Sequence, residues 1–376
     1  MIVDRINVMQ PWLGEEEVEA VSAVLRSGWV AQGPRVKEFE ESFGRHMQAD
    51  HAVAVSSCTT ALHLALYVAG IGPGDEVVVP SFSFIATTNA VRYVGAEPVF
   101  ADVDAETGNV TAATLERHLT TRTRAVIAVD QGGVPVDLDP IRELCDPRGI
   151  LVLEDAACGA GSTYKGRPVG SGAELTAWSF HPRKLLTTGE GGMLTSSRED
   201  WAARARTLRE HAMSVSAADR HASTLAPAET YDEVGFNFRM TDMQAAVGLV
   251  QLAKLDEVIA RRRLLAARYQ DAIAAIGGLR AIADPPYGTS NYQSFWVEVC
   301  ADYPLDREGL IAALADANVS ARRGIMSAHR QAPYRQLVAE LPVTERLTDS
   351  TLILPLFHQL TESDQDRVID VLQRAR

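Results

Sequence analysis

One lysine has a setting that suits chemistry. Lys184 lies in AWSFHPRKLLTTGEGGM, between an apolar run that ends at Phe180 and a glycine-rich turn. An amine beside a strand end can form a Schiff base with an aldehyde and can carry protons. Taken alone, the segment would favour a solvated loop lysine, because GEGG by itself is a weak signal. Its function therefore depends on which other residues reach it.

An aspartate ends a second apolar run. Asp155 closes ILVLED. Because ligands bind at the carboxyl ends of the strands in open α/β sheets, Asp155 is a candidate partner for a cationic group. The alternative is a helix N-cap, since Ala156 and Ala157 can begin a helix. Both interpretations stay open at this point.

The segment SSCTTALHLAL suits a phosphate. It places small hydroxyl residues before a helix, whose first N–H groups attract anions, with Ser57 or Thr59 available as the N-cap. GxxxxGK[ST] and GxGxxG are absent, which excludes a P-loop and a dinucleotide fingerprint. His63, among leucines, is interpreted as a packing residue. A reactive lysine, an aspartate for a pyridinium nitrogen and a phosphate site are together what pyridoxal phosphate (PLP) requires.

Short apolar runs predict the strands that position these residues. They alternate with helical stretches between residues 52 and 197, a pattern typical of a mainly parallel sheet sandwiched by helices. The sequence therefore predicts an α/β fold. The predicted strands are AVAVSS, EVVVPS, EPVFADVD, RAVIAVDQ, ILVLED, ELTAWSF and GGMLTSS.

Two helical segments follow the predicted sheet. Residues 198–232 are more polar and predict a helix followed by a mobile loop. Residues 243–270 have the periodicity of a long helix, and their basic run at 261–263 is interpreted as a solvated face.

The end of the chain predicts a smaller α+β domain. SFWVEV predicts a strand, and residues 305–317 and the terminal VIDVLQRA predict helices. We therefore expect a large PLP-binding α/β domain at residues 1–255, including the N-terminal segment, and a small C-terminal domain at residues 256–376.

The charge balance excludes some partners. With 36 basic and 49 acidic residues, the net charge is −13, which disfavours nucleic acid and an anionic membrane surface. No run approaches the roughly 18 apolar residues of a membrane span, and the N-terminus lacks the features of a secretory signal. We expect a cytoplasmic protein whose partners are small molecules or another copy of itself.

The cysteines and histidines do not predict a metal site. The four cysteines lack CxxC spacing, which favours reduced thiols. The nine histidines include no HExxH motif and no cluster at metal-ligand spacing, so no catalytic metal is expected.

Several motifs in the same order resemble the DegT/DnrJ/StrS family of PLP-dependent sugar aminotransferases, within the fold-type I aspartate aminotransferase superfamily. The resemblance covers nearly the whole chain, and the series is more specific than any one motif. The motifs are PWLGEEEVEAVSAVLRSGWVAQGPRVKEFEESF, SSCTTALHLAL, PSFSFIATTNAV, EDAAC, SFHPRKLLTTGEGGM, VGFNFRMTDMQAAVGLVQL and LILPLFHQLTESDQ.

The resemblance implies which residues bind PLP. Lys184 corresponds to the lysine that carries the Schiff base, and Asp155 to the aspartate that binds the pyridinium nitrogen. The backbone at Cys58 and Thr59, together with Ser179, corresponds to the phosphate site. PLP, or its pyridoxamine form (PMP), is therefore the expected cofactor.

Further residues are implied around the ring and the substrate. Phe84 in PSFSF resembles the aromatic residue that stacks on the ring, and Cys158 lies where it can contact the ring. Asn237 in GFNFR resembles the asparagine that reaches the phosphate of the neighbouring subunit, which implies a homodimer with shared active sites. His329 resembles the substrate-side histidine that approaches the sugar.

The chain departs from the family pattern at several positions. The family commonly has Gly in place of Cys58, Gln or His in place of Cys158, and His-Leu-Tyr-Gly in place of the DQGG stretch at residues 130–133. We expect Asp130 to face the site, where it puts the identity of the substrate in doubt more than the type of reaction. One subgroup replaces the lysine by histidine and performs dehydration, so Lys184 favours transamination.

The expected reaction has two halves. An amino acid, L-glutamate in our interpretation, converts PLP to PMP, which then aminates a keto-sugar, expected to be nucleotide-linked. Backbone N–H groups and cations such as Arg239 or Arg323 are candidates for diphosphate contacts, although each arginine alone also suits a structural ion pair. The alternatives are a transaminase or related PLP enzyme acting on a cyclitol or another natural-product ketone, and a non-catalytic regulatory protein that keeps the fold.

Overall fold

A seven-stranded sheet forms the centre of the larger lobe. The computed structural model describes residues 4–215, 224, 228–337 and 339–374. The strand order is β1-β9-β8-β5-β4-β2-β3; β9 is antiparallel to β1 and β8, and the other neighbouring pairs are parallel. The predicted strands of the central sheet are confirmed. The strands of this lobe are β1 (His51–Val55), β2 (Glu76–Pro80), β3 (Glu97–Ala101), β4 (Thr123–Val129), β5 (Leu151–Asp155), β6 (Thr163–Tyr164), β7 (Arg167–Pro168), β8 (Leu175–Ser179) and β9 (Gly192–Ser196).

The sheet is covered by helices on both faces. Val77 and Val79 of β2 pack into one apolar layer, and Val78 between them packs into the opposite layer. Because both faces are buried, the strands have continuous apolar runs rather than alternating ones. This arrangement confirms the predicted α/β sandwich.

Helices surround this sheet and extend into the smaller lobe. Residues of α3, α4 and α7 belong to the apolar layer on one face, whereas α2, α6 and the first half of α8 pack on the other. In the described residues the helices are α1 (Glu15–Ser27), α2 (Pro34–Met47), α3 (Cys58–Val68), α4 (Ile85–Tyr93), α5 (Ala112–Glu116), α6 (Leu138–Cys145), α7 (Glu199–Leu208), α8 (Asp242–Ala274), α9 (Arg307–Asp316), α10 (Pro342–Ser350) and α11 (Glu362–Arg374), with short 3-10 turns at Gln131–Gly133 and Asp146–Arg148.

An antiparallel sheet forms the smaller lobe. Its strand order is β10-β12-β14-β13, and α9 and α11 pack against it. The short β11 instead pairs with β6 of the larger lobe. This architecture confirms the predicted smaller α+β unit. The strands are β10 (Leu279–Ala281), β11 (Gly288–Thr289), β12 (Phe295–Val299), β13 (Arg322–Arg323) and β14 (Thr351–Leu354).

The long helix α8 is shared by both lobes. Leu252 and Leu255 pack with the larger lobe, whereas Leu265 and Ile273 belong to the core of the smaller lobe. Ile6, near the N-terminus, also packs in the smaller lobe. The predicted boundary between residues 255 and 256 falls inside this helix, and the division into two domains stays a prediction.

The interpretation of the basic run in α8 as a solvated face is wrong for Arg262. Its side chain is only 1% exposed and donates hydrogen bonds to backbone carbonyl groups. Leu265, Val258 and Tyr269 lie three, four and seven residues away, respectively, on the same buried stripe. Helical periodicity therefore places Arg262 inside the protein.

Two helix predictions are confirmed. The helix predicted at the start of residues 198–232 is α7, and the one predicted for residues 243–270 is α8. The mobile loop predicted after α7 lies partly outside the described residues, which do not include 216–223 and 225–227. In the part of the chain that the structure describes, no helix has the length and apolarity needed to cross a bilayer.

Candidate active site

Lys184 lies in a turn at the carboxyl edge of the central sheet. Its backbone N–H donates to the carbonyl oxygen of His181 at 2.8 Å, and its Nζ donates to Sγ of Cys158 at 3.0 Å. Burial lowers the pKa of the Lys184 ammonium, but the nearby Cys158, Cys58 and Asp155 outweigh burial and shift that pKa upward. The amine is therefore held among groups that favour its charged form.

Asp155 is the last residue of β5 and is only 3% exposed. Its Oδ2 accepts a hydrogen bond from Thr87 Oγ1 at 2.8 Å, and its Oδ1 accepts one from the backbone N–H of Ala157 at 3.2 Å. Residues 157–161 form turns rather than a helix, so the alternative of a helix N-cap is wrong. Burial raises the pKa of Asp155 despite these hydrogen bonds and the charge of Lys184. A cationic partner would stabilise its carboxylate.

The N-terminus of α3 presents backbone N–H groups near this carboxylate. Ser57 is the N-cap, and its Oγ accepts a hydrogen bond from the N–H of Thr60 at 3.1 Å. Cys58 and Thr59 are the first two residues of the helix, whose opening N–H groups have no partner within a helix. The predicted cap at Ser57 is confirmed.

Gly192 on β9 allows close packing beside α3. A Cβ at this position would lie 2.6 Å from the backbone nitrogen of Cys58, so a side chain does not fit. Sγ of Cys58 lies 3.9 Å from Oδ1 of Asp155. Ser179, the last residue of neighbouring β8, is partly exposed. The start of α3 and the ends of β5 and β8 thus meet at one edge.

The loop after β2 connects an exposed aromatic ring to Asp155. Phe84 occupies the N-cap position of α4 and is 64% exposed. Ser83 Oγ lies 2.8 Å from Thr87 Oγ1, which in turn donates to Asp155. Sequence reasoning missed Thr87, although it lies three residues after the PSFSF motif, in the first turn of α4.

Asn237 lies in an exposed segment that packs on α3. Its backbone forms an isolated bridge with Glu210. The rings of Phe236 and Phe238 stack with centroids 4.7 Å apart, and both contact the His63 ring. Burial lowers the pKa of His63, consistent with a neutral packing residue. The predicted reach of Asn237 to a neighbouring subunit stays a prediction.

His329 uses both ring nitrogens within the protein. Nδ1 lies 2.6 Å from Ser81 Oγ and Nε2 lies 3.2 Å from Glu345 Oε1, and the residue is 8% exposed. Ser81 begins the loop that carries Phe84, so the histidine braces that loop. The approach of His329 to a sugar stays a prediction. It would require one ring nitrogen to give up its present hydrogen bond for one to the sugar.

The DQGG stretch packs against a neighbouring polar segment. Asp130 is buried, as Asp155 is, and it accepts a hydrogen bond from the backbone N–H of Val136 at 3.0 Å, so the expectation that it faces the site stays a prediction. At Gly133, where φ is +96°, a Cβ would lie 1.9 Å from Asn291 Oδ1. The stretch therefore makes room for a polar segment, residues 290–294, that sequence reasoning missed.

The predicted residues fit PLP in charge and chemistry. Lys184 offers an amine, Asp155 a buried carboxylate with a raised pKa, and the start of α3 a set of backbone N–H groups. The close approach allowed by Gly192 leaves those N–H groups uncovered by a side chain. Phe84 supplies an exposed aromatic ring. These groups match the aldehyde, ring nitrogen, phosphate and ring face of PLP.

This chain is similar to known sugar aminotransferases and polysaccharide biosynthesis proteins over nearly its whole length. A curated relative from Shewanella sediminis, a UDP-4-amino-4-deoxy-L-arabinose–oxoglutarate aminotransferase, is 37% identical over 97% of this chain and 96% of its own. The Bacillus subtilis spore coat polysaccharide biosynthesis protein SpsC is 39% identical over 96% of this chain and 95% of its own. A putative sugar aminotransferase from Streptococcus pneumoniae, solved in its PMP form, has a TM-score of 0.92 at 27% identity and covers 99% of this chain and 98% of its own.

The fold and site thus define an aminotransferase of PLP fold type I. Residues 11–373 match the model of the DegT/DnrJ/EryC1/StrS aminotransferase family, and the chain belongs to that family. The resemblance stated from the motifs is confirmed.

Proposed function

We propose that this aminotransferase moves an amino group from L-glutamate to a nucleotide-linked keto-sugar, with PLP as its cofactor. The observation that carries the proposal is the cluster of side chains at one edge of the central sheet. In this cluster Lys184 contacts Cys158, and Asp155 lies at the end of β5. The Shewanella relative uses oxoglutarate and a UDP-linked amino sugar by its name. Oxoglutarate is the product that glutamate leaves after giving up its amino group.

Lys184 and Asp155 have separate functions in this proposal. PLP, when bound, accepts electrons from the substrate and carries the amino group between the two half-reactions. Lys184 Nζ binds the cofactor and carries the proton at the reacting carbon. The Asp155 carboxylate pairs with the ring nitrogen and holds it protonated, while Thr87 and Ala157 fix the carboxylate by hydrogen bonds.

Other residues hold the remaining parts of the cofactor. The N–H groups of Cys58 and Thr59, with the Ser179 hydroxyl, bind the phosphate. Phe84 stacks on the ring, and Cys158 contacts it beside Lys184. A thiol replaces an amide or imidazole here, so this contact has a weaker donor than those groups provide.

The acceptor needs local cations because the chain carries a net charge of −13. Arg323 is paired with Glu308 at 2.6 Å, which favours its structural interpretation. Arg239, two residues after Asn237, is partly buried, and no acidic partner for it occurs among the described residues. Arg239 is therefore the better candidate for the diphosphate.

A homodimer with shared sites completes the proposal. Asn237 is exposed on a segment anchored by stacked aromatic rings, an arrangement that suits a residue presented to another chain. Its amide binds the phosphate in the neighbouring subunit. The partner is a second copy of this chain.

The lysine can be tested directly because the chain has four lysines: Lys37, Lys165, Lys184 and Lys254. Borohydride reduction of the PLP-loaded enzyme, followed by peptide mapping, should place the label on Lys184. Lys184→Ala should fold normally but lose the lysine-linked absorption band. Lys165→Ala, which removes an exposed lysine paired with Asp139, is the matched control and should keep the band. A label on any of the other lysines would overturn the assignment.

A further inference from the structure

Gln293 brackets the backbone of Lys184. Its side-chain Oε1 accepts a hydrogen bond from the N–H of Leu185 at 3.0 Å, and its Nε2 donates one to the carbonyl oxygen of Arg183 at 2.6 Å. Because a backbone N–H only donates and a carbonyl only accepts, these partners fix the orientation of the amide. One side chain therefore holds the residues before and after Lys184.

Asn291 holds the turn that carries Cys158 in the same way. It is fully buried, and its Nδ2 donates to the carbonyl oxygens of Cys158 and Ala160, both at 2.8 Å. Its Oδ1 accepts from the N–H of Gln293 at 2.7 Å. The two amides, which we call the amide brace, thus connect the turns on which Lys184 and Cys158 meet.

The amide brace is itself anchored from α8. Arg262 donates from Nε to the carbonyl oxygen of Tyr292 at 3.0 Å and from Nη2 to that of Gln293 at 3.0 Å. The opposite side is closed by Gly133, because any Cβ there would overlap Asn291 Oδ1. A rigid guanidinium and a close backbone contact leave the brace little freedom to shift.

Lys184 has a particular need for such support. It lies outside the regular sheet, in a turn whose own backbone bond runs from Lys184 N–H to the His181 carbonyl. In the proposed function its side chain must bind the cofactor, leave it and carry protons. A misplacement of about 1 Å at such a group can cost on the order of a hundredfold in rate. The backbone must therefore stay fixed while the side chain moves.

We propose that Gln293 is a positioning residue for Lys184, acting through the Arg183 and Leu185 backbone. The inference rests on the proposed function for its catalytic consequence. The two hydrogen bonds from Gln293 to the Arg183 and Leu185 backbone do not themselves depend on the cofactor. Loss of the Gln293 amide should disturb Lys184 specifically, beyond any general loss of stability.

Gln293→Met removes both hydrogen bonds at similar volume. Gln365→Met is the matched control, because Gln365 is a fully buried glutamine of α11 whose Nε2 donates to the Leu265 carbonyl at 2.6 Å. The first readout is hydrogen exchange at the Leu185 amide, in protein with and without PLP. Exchange should accelerate on the order of tenfold in Gln293→Met and stay unchanged in Gln365→Met.

The second readout is the pH midpoint of the lysine-linked absorption band in the holoenzyme. Gln293→Met should move this midpoint by roughly half a pH unit or more and lower kcat on the order of tenfold with KM little changed. Gln365→Met should alter neither the midpoint nor kcat. If both variants lose thermal stability but neither moves the midpoint, Gln293 is only structural and the inference is wrong.

Gln293→Glu keeps the shape of the side chain and the acceptor for Leu185, and it decides the question if Gln293→Met does not fold. It loses the donor to the Arg183 carbonyl, so the Leu185 amide should stay protected while the midpoint still moves. A wild-type midpoint in this variant would contradict the inference. If wild-type protein with PLP forms no lysine-linked band, the proposed function fails. Hydrogen exchange at the Leu185 amide then still tests whether Gln293 holds the backbone on both sides of Lys184.

Discussion

Asp155 is the residue at which chemistry and folding can be separated most cleanly. Asp155→Asn keeps an oxygen for the Ala157 N–H, and the Thr87 hydroxyl can turn to accept from the new amide. The fold should therefore persist. Turnover should fall by a factor on the order of 100 to 1,000, because the ring nitrogen loses its charged partner. Steady-state kinetics and a thermal melt of the same sample measure both effects.

Asp242→Asn is the matched control for that variant. Asp242 is also a buried aspartate, but its carboxylate accepts hydrogen bonds from the backbone of Gly33, Arg35 and Val36. No contact with the cofactor is proposed for it. It should lose thermal stability while each folded site keeps its turnover. Near-normal turnover in Asp155→Asn would leave Asp155 with a structural function alone.

At the scale of elements, the neighbouring strands β4 and β5 bury two acidic groups side by side. Asp130 follows β4 and Glu154 lies in β5, and one oxygen of each carboxyl group has no hydrogen-bond partner among the described residues. Burial and the Glu154 charge raise the pKa of Asp130 well above its usual range. Burial raises the pKa of Glu154 to about 7, against the favourable charge of Arg142.

This pair makes stability depend on pH. Because both pKa values are higher in the folded state, the native protein binds more protons than the unfolded chain, and stability falls as pH rises above about 4.5 and through 7. Asp130→Asn should flatten this fall and raise the free energy of unfolding at pH 8 by roughly 1–3 kcal/mol. Urea unfolding of the cofactor-free protein at pH 5.5, 7 and 8 measures it.

Glu298→Gln serves as the comparison for that measurement. Glu298 is buried but paired with Arg280 and Arg346, so its loss should lower stability across the same pH range rather than change the slope. If Asp130→Asn leaves the pH dependence as steep as in the wild type, the buried acid pair does not cause it.

The strands were predictable for a physical reason, and the amide brace was not. Each strand of the sheet is a local apolar run, so its neighbours in sequence reveal its burial. Gln293 acts on Arg183 and Leu185, more than a hundred residues away, and no local pattern marks that pairing. Arg262 differs, because the helical periodicity of α8 already placed it on the buried stripe. The periodicity of α8 thus indicated that Arg262 is buried, but the three consecutive arginines suggested a solvated face instead.

The candidate site also contains residues that the sequence predicts and residues that it does not. Lys184 and Asp155 could be proposed because Lys184 follows an apolar strand and Asp155 ends one, each in a recognisable motif, and parallel strands bring such ends together. Thr87, which fixes Asp155, and Ser81, which holds His329, lie in the same PSFSFIATT segment but carry no distinctive type. Hydroxyl residues are common beside loops, so their partners become evident only in the folded structure.

At the scale of the whole molecule, the proposed homodimer predicts complementation between two defective chains. A Lys184→Ala chain lacks the reactive amine, and an Asn237→Asp chain places a negative charge against the phosphate of its neighbour. Random mixing should restore up to about a quarter of wild-type activity, because half of the dimers are mixed and each has one intact site. Subunit exchange must be demonstrated by mass spectrometry. No recovery after exchange would contradict shared sites.

A single spectroscopic series tests whether one cofactor carries the amino group from glutamate to the sugar. Glutamate added to the PLP-loaded enzyme should abolish the lysine-linked absorption band, since the cofactor then carries the amino group. After glutamate is removed, nucleotide-linked keto-sugars are added in turn, with free keto-sugars, cyclitol ketones and simple 2-keto acids in parallel. A nucleotide-linked keto-sugar should restore the band fastest. Recovery with 2-keto acids alone, while every sugar and cyclitol ketone fails, would contradict it.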